Sequence, residues 1–459
     1  MPDAMPPPAT LPAMPVAATE RITALDATRG AAVLGILLMN IWAFAGPQGF
    51  FDYPVAVADW GGAPVATWAV VHTLFEGSQR ALFSLLFGAG MLLMVGHLER
   101  SAPDARPGRI YYRRVGWLIV IGLVDAFVLL WPADILFTYG LCGLVLYPFR
   151  RLRPVALVAI ALAVMALNAG LRVADLREAQ ALQATYAEVQ GRDTATLSPD
   201  EAKAVEAWER IESRARPDLR SPQVQESLRV TAEGPVGAFV AERARTSLIL
   251  QTVVALNAWL LDALAMMFLG MAAVRAGLFT AGASGRTLAL LVVAGYGLGL
   301  PLSLAETLAM LRTDFDPIID KQYLVVYDLR RLGMAAGHLG VILWIARQPR
   351  WQALTARVAA VGRMALSNYL AQSVLGGFIF YAVGLGLYGR FTGFYLYLVV
   401  AFIWTLQLAW SPWWLARYRF GPAEWLWRSL TYRQRQPFRR AAASPVATAA
   451  SAGNNGTAP

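Results

Sequence analysis

Apolar residues in this chain gather into long blocks rather than recurring at the spacing of an amphipathic helix or a half-buried strand. The blocks run for about 18 to 30 residues, the length that carries a helix through a hydrocarbon core of about 30 Å. They fall at about 28–46, 80–97, 114–131, 134–149, 154–172, 246–275, 287–311, 323–346, 358–387 and 394–416. A membrane barrel would alternate apolar and polar positions, and these blocks are apolar on every face. The pattern predicts an all-α, polytopic transmembrane bundle of about ten helices. The blocks at 246–275 and 358–387 are longer than one crossing needs, which predicts tilt or a break.

The interruptions divide the chain. Residues 1–20 and 434–459 are low-complexity tails, the former without the basic start of a signal peptide. Residues 21–172 and 246–433 form two bundles of about five spans each, the second with a basic end. Between them, 173–245 mixes Glu178, Glu188, Glu206, Glu209 and Glu212 with Arg177, Lys203, Arg210, Arg214 and Arg216. That mixture reads as short amphipathic helices in an extracytoplasmic insert. It is either a lid or acceptor-binding cap, or an insertion the fold tolerates.

Composition sharpens the class. The chain is 57% hydrophobic and 15% charged, too few charges to solvate a soluble surface of this size. A net charge of +10 would suit nucleic acid, but the cations sit where a bilayer explains them. Loops after even-numbered spans carry Arg100, Arg106, Arg109, Arg113 and Arg114, then Arg150, Arg151 and Arg153, then Arg275 and Arg286, then Arg347, Arg350 and Arg357. The opposite loops are poor in cations and hold Asp52, Asp59, Asp314 and Asp316. This alternation predicts an inner-membrane protein with both termini cytoplasmic, a lipid bilayer as its partner and no role for nucleic acid. Cys142 is the lone cysteine and no metal-ligand spacing occurs, so no internal disulfide and no metal site is expected.

Charges at membrane depth cost about 2.5–3.5 kcal/mol each, so they turn toward a polar interior or a partner. Asp26, Arg29 and Asn40 lie on the first span; His72, Glu76 and Arg80 precede or open the second. Asp125 is central in the third, Asp134 opens the fourth and Asp262 lies inside the sixth. His338 is in the eighth, and Arg363, Asn368 and Gln372 are in the ninth. Each has a plainer reading: Arg29 and Arg363 reach headgroups from the helix ends, and Asp26 with Arg29 makes a local pair. Together they mark a polar route through the bundle, with His72, His338 and Asp125 as candidate bases and the others as candidate binding groups.

The same residues carry a family likeness. Leu25-Asp26, Arg29-Gly30-Ala31, Leu34-Gly35-Ile36 and Asn40, followed by Leu82-Phe83-Ser84-Leu85-Leu86-Phe87-Gly88-Ala89-Gly90, resemble the YeiB-like family of bacterial inner-membrane proteins. So do Gly362-Arg363-Met364-Ala365-Leu366-Ser367-Asn368-Tyr369-Leu370-Ala371-Gln372-Ser373 and Gly421-Pro422-Ala423-Glu424-Trp425-Leu426-Trp427-Arg428. The first-span pattern is also similar to that of transmembrane acetyltransferases. That likeness implies acyl transfer from cytoplasmic acyl-CoA to an envelope glycan or small molecule, with His72 or His338 as base and Arg29, Asn368 and Gln372 on the donor or the oxyanion. The chain departs from the family pattern where a His-Gly pair is replaced by Asp125-Ala126, so either Asp125 takes that role or the activity is lost. A permease for a polar metabolite and a membrane scaffold are the competing functions.

Overall fold

A computed structural model describes residues 23–47, 49–56, 62–101, 106–279 and 283–440. The expected tail at 1–20, residues 441–459 of the tail expected at 434–459, and Asp59 lie outside them, while residues 434–440 fold back so that Arg439 bridges to Tyr418.

The described chain is helical throughout, a polytopic bundle. Six stretches are long and apolar enough to cross a membrane: Thr23–Ala45, Ala63–Ser101, Pro154–Val189, Val236–Arg275, Gly285–Arg312 and Phe394–Arg417. The first is α1. The second is broken into α2's successor α3 (Ala63–Phe75) and α4 (Ser78–Ser101), α2 being the short turn Gly49–Asp52. The other expected spans fall on helices that are shorter or more charged: α5 (Pro107–Phe127), α6 (Leu136–Leu146), α14 (Tyr327–Ile345), and α15 (Gln352–Arg363) with α16 (Ala365–Phe380). α6 and α16 fall short in length, while α5 and α14 carry charges, of which Asp125, Asp328, Arg330 and Arg331 are buried in the bundle.

The two overlong blocks do depart from single straight helices. The block at 358–387 breaks at Met364, between α15 and α16. The block at 246–275 runs on from α10 (Val236–Ile249) through a π-helical stretch, Leu250–Trp259, into α11 (Leu260–Arg275). A π stretch of this kind widens the helix and often marks a functional wall.

Small residues set how closely the helices approach. A side chain at Gly88 of α4 would strike the carbonyl of Met267, and one at Gly270 of α11 would strike that of Leu85. Gly30 and Gly362 bring α1 against α15 in the same way. Such backbone contact is the usual means of helix association where lipid removes the hydrophobic drive. Gly77 serves a different need: its φ of +68° makes the turn between α3 and α4.

α7 (Pro154–Val189) continues well past the length of one crossing, and α8 (Pro199–Ala215) and α9 (Pro222–Glu233) follow it. Ser198 and Glu201 form a capping box that starts α8. Trp208 of α8 packs on Ala179 of α7 and on Ile318 of α13 (Pro317–Val325). Arg216 donates to the carbonyls of Thr313 (3.1 Å) and Asp314 (2.6 Å), and the carbonyl of Thr231 accepts from the amide of Ala382 (2.8 Å). The insert therefore grips several loops of one face of the bundle, the insert face. The loops rich in arginine lie on the opposite, basic face. α12 (Gly285–Arg312), α17 (Phe394–Arg417) and α18 (Pro422–Tyr432) complete the set, with α18 an amphipathic helix against the basic face.

Candidate functional site

The basic face opens into a cavity of about 740 Å³. Its mouth carries Arg29 and Asp26 from α1, His97 and Arg100 from α4, Arg114 from α5, Arg363 from α15, and Glu424 and Arg428 from α18. Arg29 and Asp26 form an ion pair at 3.0 Å, three residues apart on one helical face. Arg114 lies over the Trp427 ring at 3.5 Å, a cation–π contact that holds its guanidinium at the wall. Deeper in, Phe83, Phe87, Leu118 and Leu136 make an apolar shaft, which ends at Tyr139 and Tyr369. Five arginines outnumber two carboxylates around this mouth, so its field favours an anion.

α18 is fixed to the cavity wall by one carboxylate. Glu424 accepts from the amides of Leu366 (2.7 Å) and Ser367 (3.1 Å) and from the Ser367 hydroxyl (2.5 Å). These amides are the free donors of the first turn of α16, where a negative charge is favoured. Burial pushes the Glu424 carboxyl up from its ordinary range, and the bonds from Ser367 and the amides oppose that shift.

A second, smaller cavity of about 160 Å³ lies toward the insert face. It is lined by Glu76 and Arg80 beside the α3–α4 turn, Asn168 and Arg172 of α7, Ala258 and Trp259 of the π stretch, Asp262 of α11, and Leu324 and Tyr327. Its wall is an ionic lattice. Arg80 donates to the Tyr327 hydroxyl (2.8 Å) and pairs with Asp262 (2.9 Å), while Tyr327 donates to Glu76 (3.0 Å). Arg330 pairs with Glu76 and, at 2.8 Å, with Glu306. Arg331 pairs with Asp262 and, at 2.7 Å, with Asp328, which also accepts from Asn168 at 2.8 Å. Both arginines are buried, at 1% and 0% exposure, and such charges persist at depth only when paired this fully.

One layer separates the cavities. Tyr139 closes the larger, and its hydroxyl donates to the backbone carbonyl of Arg80 at 3.1 Å, with Ser84 Oγ 2.6 Å away. Beside it, Tyr369 donates to Asp134 at 3.3 Å, and Asp134 also accepts from the Phe137 amide at 2.9 Å. Asp125 accepts from Ser373 at 3.2 Å next to Asp134, behind the cavity wall.

The sequence candidates thus fall into three groups. Asp26, Arg29 and Arg363 meet at the larger cavity, and Glu76, Arg80 and Asp262 at the smaller. Asp134 and Asp125 sit one shell behind Tyr369. The others line neither cavity. His72 stacks on Trp68 and lies 3.1 Å from Thr307 Oγ1 and 3.8 Å from Glu306. His338 is held 2.6 Å from the Met334 carbonyl between Phe75 and Tyr296. Asn368 ties α16 to α17 through Ser411 and Trp410, and Gln372 reaches the Val33 carbonyl and Gln407. Asn40 is half-buried on α1.

Sequence reasoning passed over His97, Arg114, Tyr139, Tyr369, Glu424 and Arg428 as site residues. Tyr369, Glu424 and Arg428 stand inside the motifs that carry the family likeness, so a signal was present. Tyr139 and Arg114 had none, because a tyrosine or an end-of-helix arginine is ordinary in a membrane helix.

A family described as "Protein of unknown function (DUF418)" matches residues 273–434. The uncharacterized protein YxaH of Bacillus subtilis (strain 168) is 26% identical over 437 residues, 93% of this chain and 98% of its own length. The uncharacterized protein YeiB of Escherichia coli (strain K12) is 29% identical over 429 residues, 91% of this chain and 98% of its own. An uncharacterized 39.9 kDa protein in the amylase 3′ region of Bacillus acidopullulyticus is 31% identical over 131 residues, 26% of this chain and 36% of its own length. No solved structure matches. The likeness to transmembrane acetyltransferases rests on the first-span pattern alone. With two relatives aligned over nearly their whole length and a family match over the C-terminal bundle, the chain is similar to the YeiB-like proteins from end to end.

Proposed function

We propose that the protein is a transmembrane acyltransferase whose acyl-CoA donor enters the larger cavity from the basic face, which faces the cytoplasm. One observation carries this reading: a cavity of about 740 Å³ with arginines at its mouth and an apolar shaft ending at polar groups in mid-bundle. Guanidinium groups bind phosphate oxygens in a fixed fork, so Arg29, Arg114, Arg363 and Arg428 suit the phosphates of a CoA ester. The shaft suits its thioester arm. The acceptor's O–H or N–H attacks the thioester carbonyl, the C–S bond breaks and the CoA thiol leaves with a proton. At that depth Tyr369 is the group placed to take the acceptor's proton as it passes its own to the hydrogen-bonded Asp134, and the proton returns along the same pair to the departing thiolate. His72 and His338 then serve packing, since neither lines the cavity.

The test uses purified protein. Titration calorimetry should detect CoA binding, weakened about ten-fold or more by Arg114→Gln and again by Arg363→Gln, as for loss of a charge-assisted bond. Absence of binding at millimolar CoA ends this reading. The orientation is tested by a C-terminal reporter active only in the cytoplasm.

A second reading, transport of a polar metabolite, is favoured by two polar-lined cavities that one residue layer divides. Uptake of an anionic metabolite by proteoliposomes that bind no CoA would select it.

A further inference from the structure

The smaller cavity is polar, yet its open side lies among lipid-facing residues. Asn168 and Arg172 of α7 and Ala258 and Trp259 of the π stretch line it, and Leu167, Leu171 and Leu256 on the same two elements are each about half exposed (55%, 52% and 50%). From the insert face it is covered by α13. That helix is tied to α7 by the Lys321–Asp175 ion pair (2.7 Å) and by the packing of Ile318 with Ala179 and Trp208. Water on that face thus meets α13, and the free approach is sideways from the bilayer.

The lining charges are not evenly satisfied. Glu76 and Asp262 are each held by buried arginines, and Arg80 is bonded to Tyr327 and Asp262. Arg172 carries no hydrogen bond or ion pair among the described residues; Asp320 and Asp328 act on it only through space. Its position at the mouth offers a guanidinium fork to an incoming anion, beside the indole of Trp259, a residue type enriched where headgroups meet hydrocarbon.

We infer that this pocket is a lateral site for the phosphate-bearing headgroup of a lipid in the leaflet on the insert side, its chains lying against Leu167, Leu171 and Leu256. On the acyl-transfer reading, this makes the acceptor a lipid-linked molecule that enters from the bilayer rather than from water. The volume of about 160 Å³ admits a headgroup phosphate with a small polar substituent, not an extended glycan.

The experiment uses the full chain in phosphatidylcholine nanodiscs containing a minor fraction of phosphatidylglycerol with a headgroup diazirine. After photolysis, label should concentrate on peptides covering 166–173 and 252–262. It should fall about ten-fold in Arg172→Gln, recover in part in Arg172→Lys, and leave lipid-facing 394–417 unchanged. Label spread evenly over all lipid-facing helices, or unaffected by Arg172→Gln, overturns the site. Displacement by glycerol 3-phosphate alone overturns the lipid source and leaves a site for a free phosphate ester. CoA binding is measured on the same samples: intact CoA binding with no lateral label sinks this inference and spares the acyltransferase reading, and the reverse result does the opposite.

Discussion

The hydroxyl of Tyr139 donates to the backbone carbonyl of Arg80 over 3.1 Å, and that bond is the partition between the two cavities. Tyr139 comes from α6 and Arg80 from the first turn of α4, so the seal depends on two helices holding their relative height. It is a thin seal for a membrane protein, one ring and one carbonyl thick.

Removing the ring should therefore join the cavities. Tyr139→Ala is expected to leak a water-soluble thiol reagent from the larger cavity through to a cysteine placed by Trp259→Cys in the smaller, while Tyr139→Phe stays tight. The phenylalanine variant keeps the ring, and Ser84 keeps its own bond to the Arg80 carbonyl at 2.8 Å, so its cost is about 1 kcal/mol. Equal leak from both variants would place the seal elsewhere.

The α4–α11 contact predicts a sharp contrast between glycines. Gly88→Ala brings a methyl group against the Met267 carbonyl and should cost about 1–3 kcal/mol, lowering the unfolding temperature. Gly297→Ala meets open space and should be neutral or slightly stabilising through helix propensity. Two indistinguishable melting curves would contradict the close approach.

Arg331 is the most consequential charge in the lattice. Arg331→Met leaves Asp262 with Arg80 alone and Asp328 with Asn168, inside a protein core. Breaking a buried pair from one side costs about 3–5 kcal/mol. The expected result is a large loss of folded yield and of thermal stability in detergent, well beyond that of Arg172→Gln at the pocket mouth.

Stability should also depend on pH through Asp320, on the loop helix α13. Burial pushes its carboxyl up to about 6 from an ordinary value of 3.8, partly offset by Lys321 beside it and by Arg172 and Arg330, with Glu76 adding to the rise. The folded protein thus holds a proton that the unfolded chain releases. Between about pH 4 and 6 stability falls as pH rises, and above that range the loss is complete. Asp320→Asn should flatten this slope and gain about 1–2 kcal/mol at pH 7, after allowance for partial solvent access. Thermal unfolding of both proteins at pH 4.5 and pH 7.5 checks it: parallel curves would show that Asp320 does not titrate in this way.

The sequence by itself determined that this protein crosses a membrane and that its deep charges turn inward. Those conclusions need only the cost of placing a charge or an open peptide group in hydrocarbon, which is local to each helix. It also marked Asp26, Arg29, Arg363, Glu76, Arg80 and Asp262 as members of one polar route, which the structure divides between two cavities. Which of the marked residues meet a cavity was decided by tertiary structure. Asn368 and Gln372 share a helix with Tyr369, yet they spend their amides on α17 and α1 while Tyr369 faces the shaft. His72 and His338 have the right chemistry for a base and are walled off by Trp68, Thr307, Phe75 and Tyr296. Arg114, in sequence one more cation of a basic loop, and Tyr139, which bears no mark there, stand in the cavity wall. A side chain's role in a helical bundle depends on which neighbour its face meets. That neighbour lies tens to hundreds of residues away, so only the folded arrangement sets it.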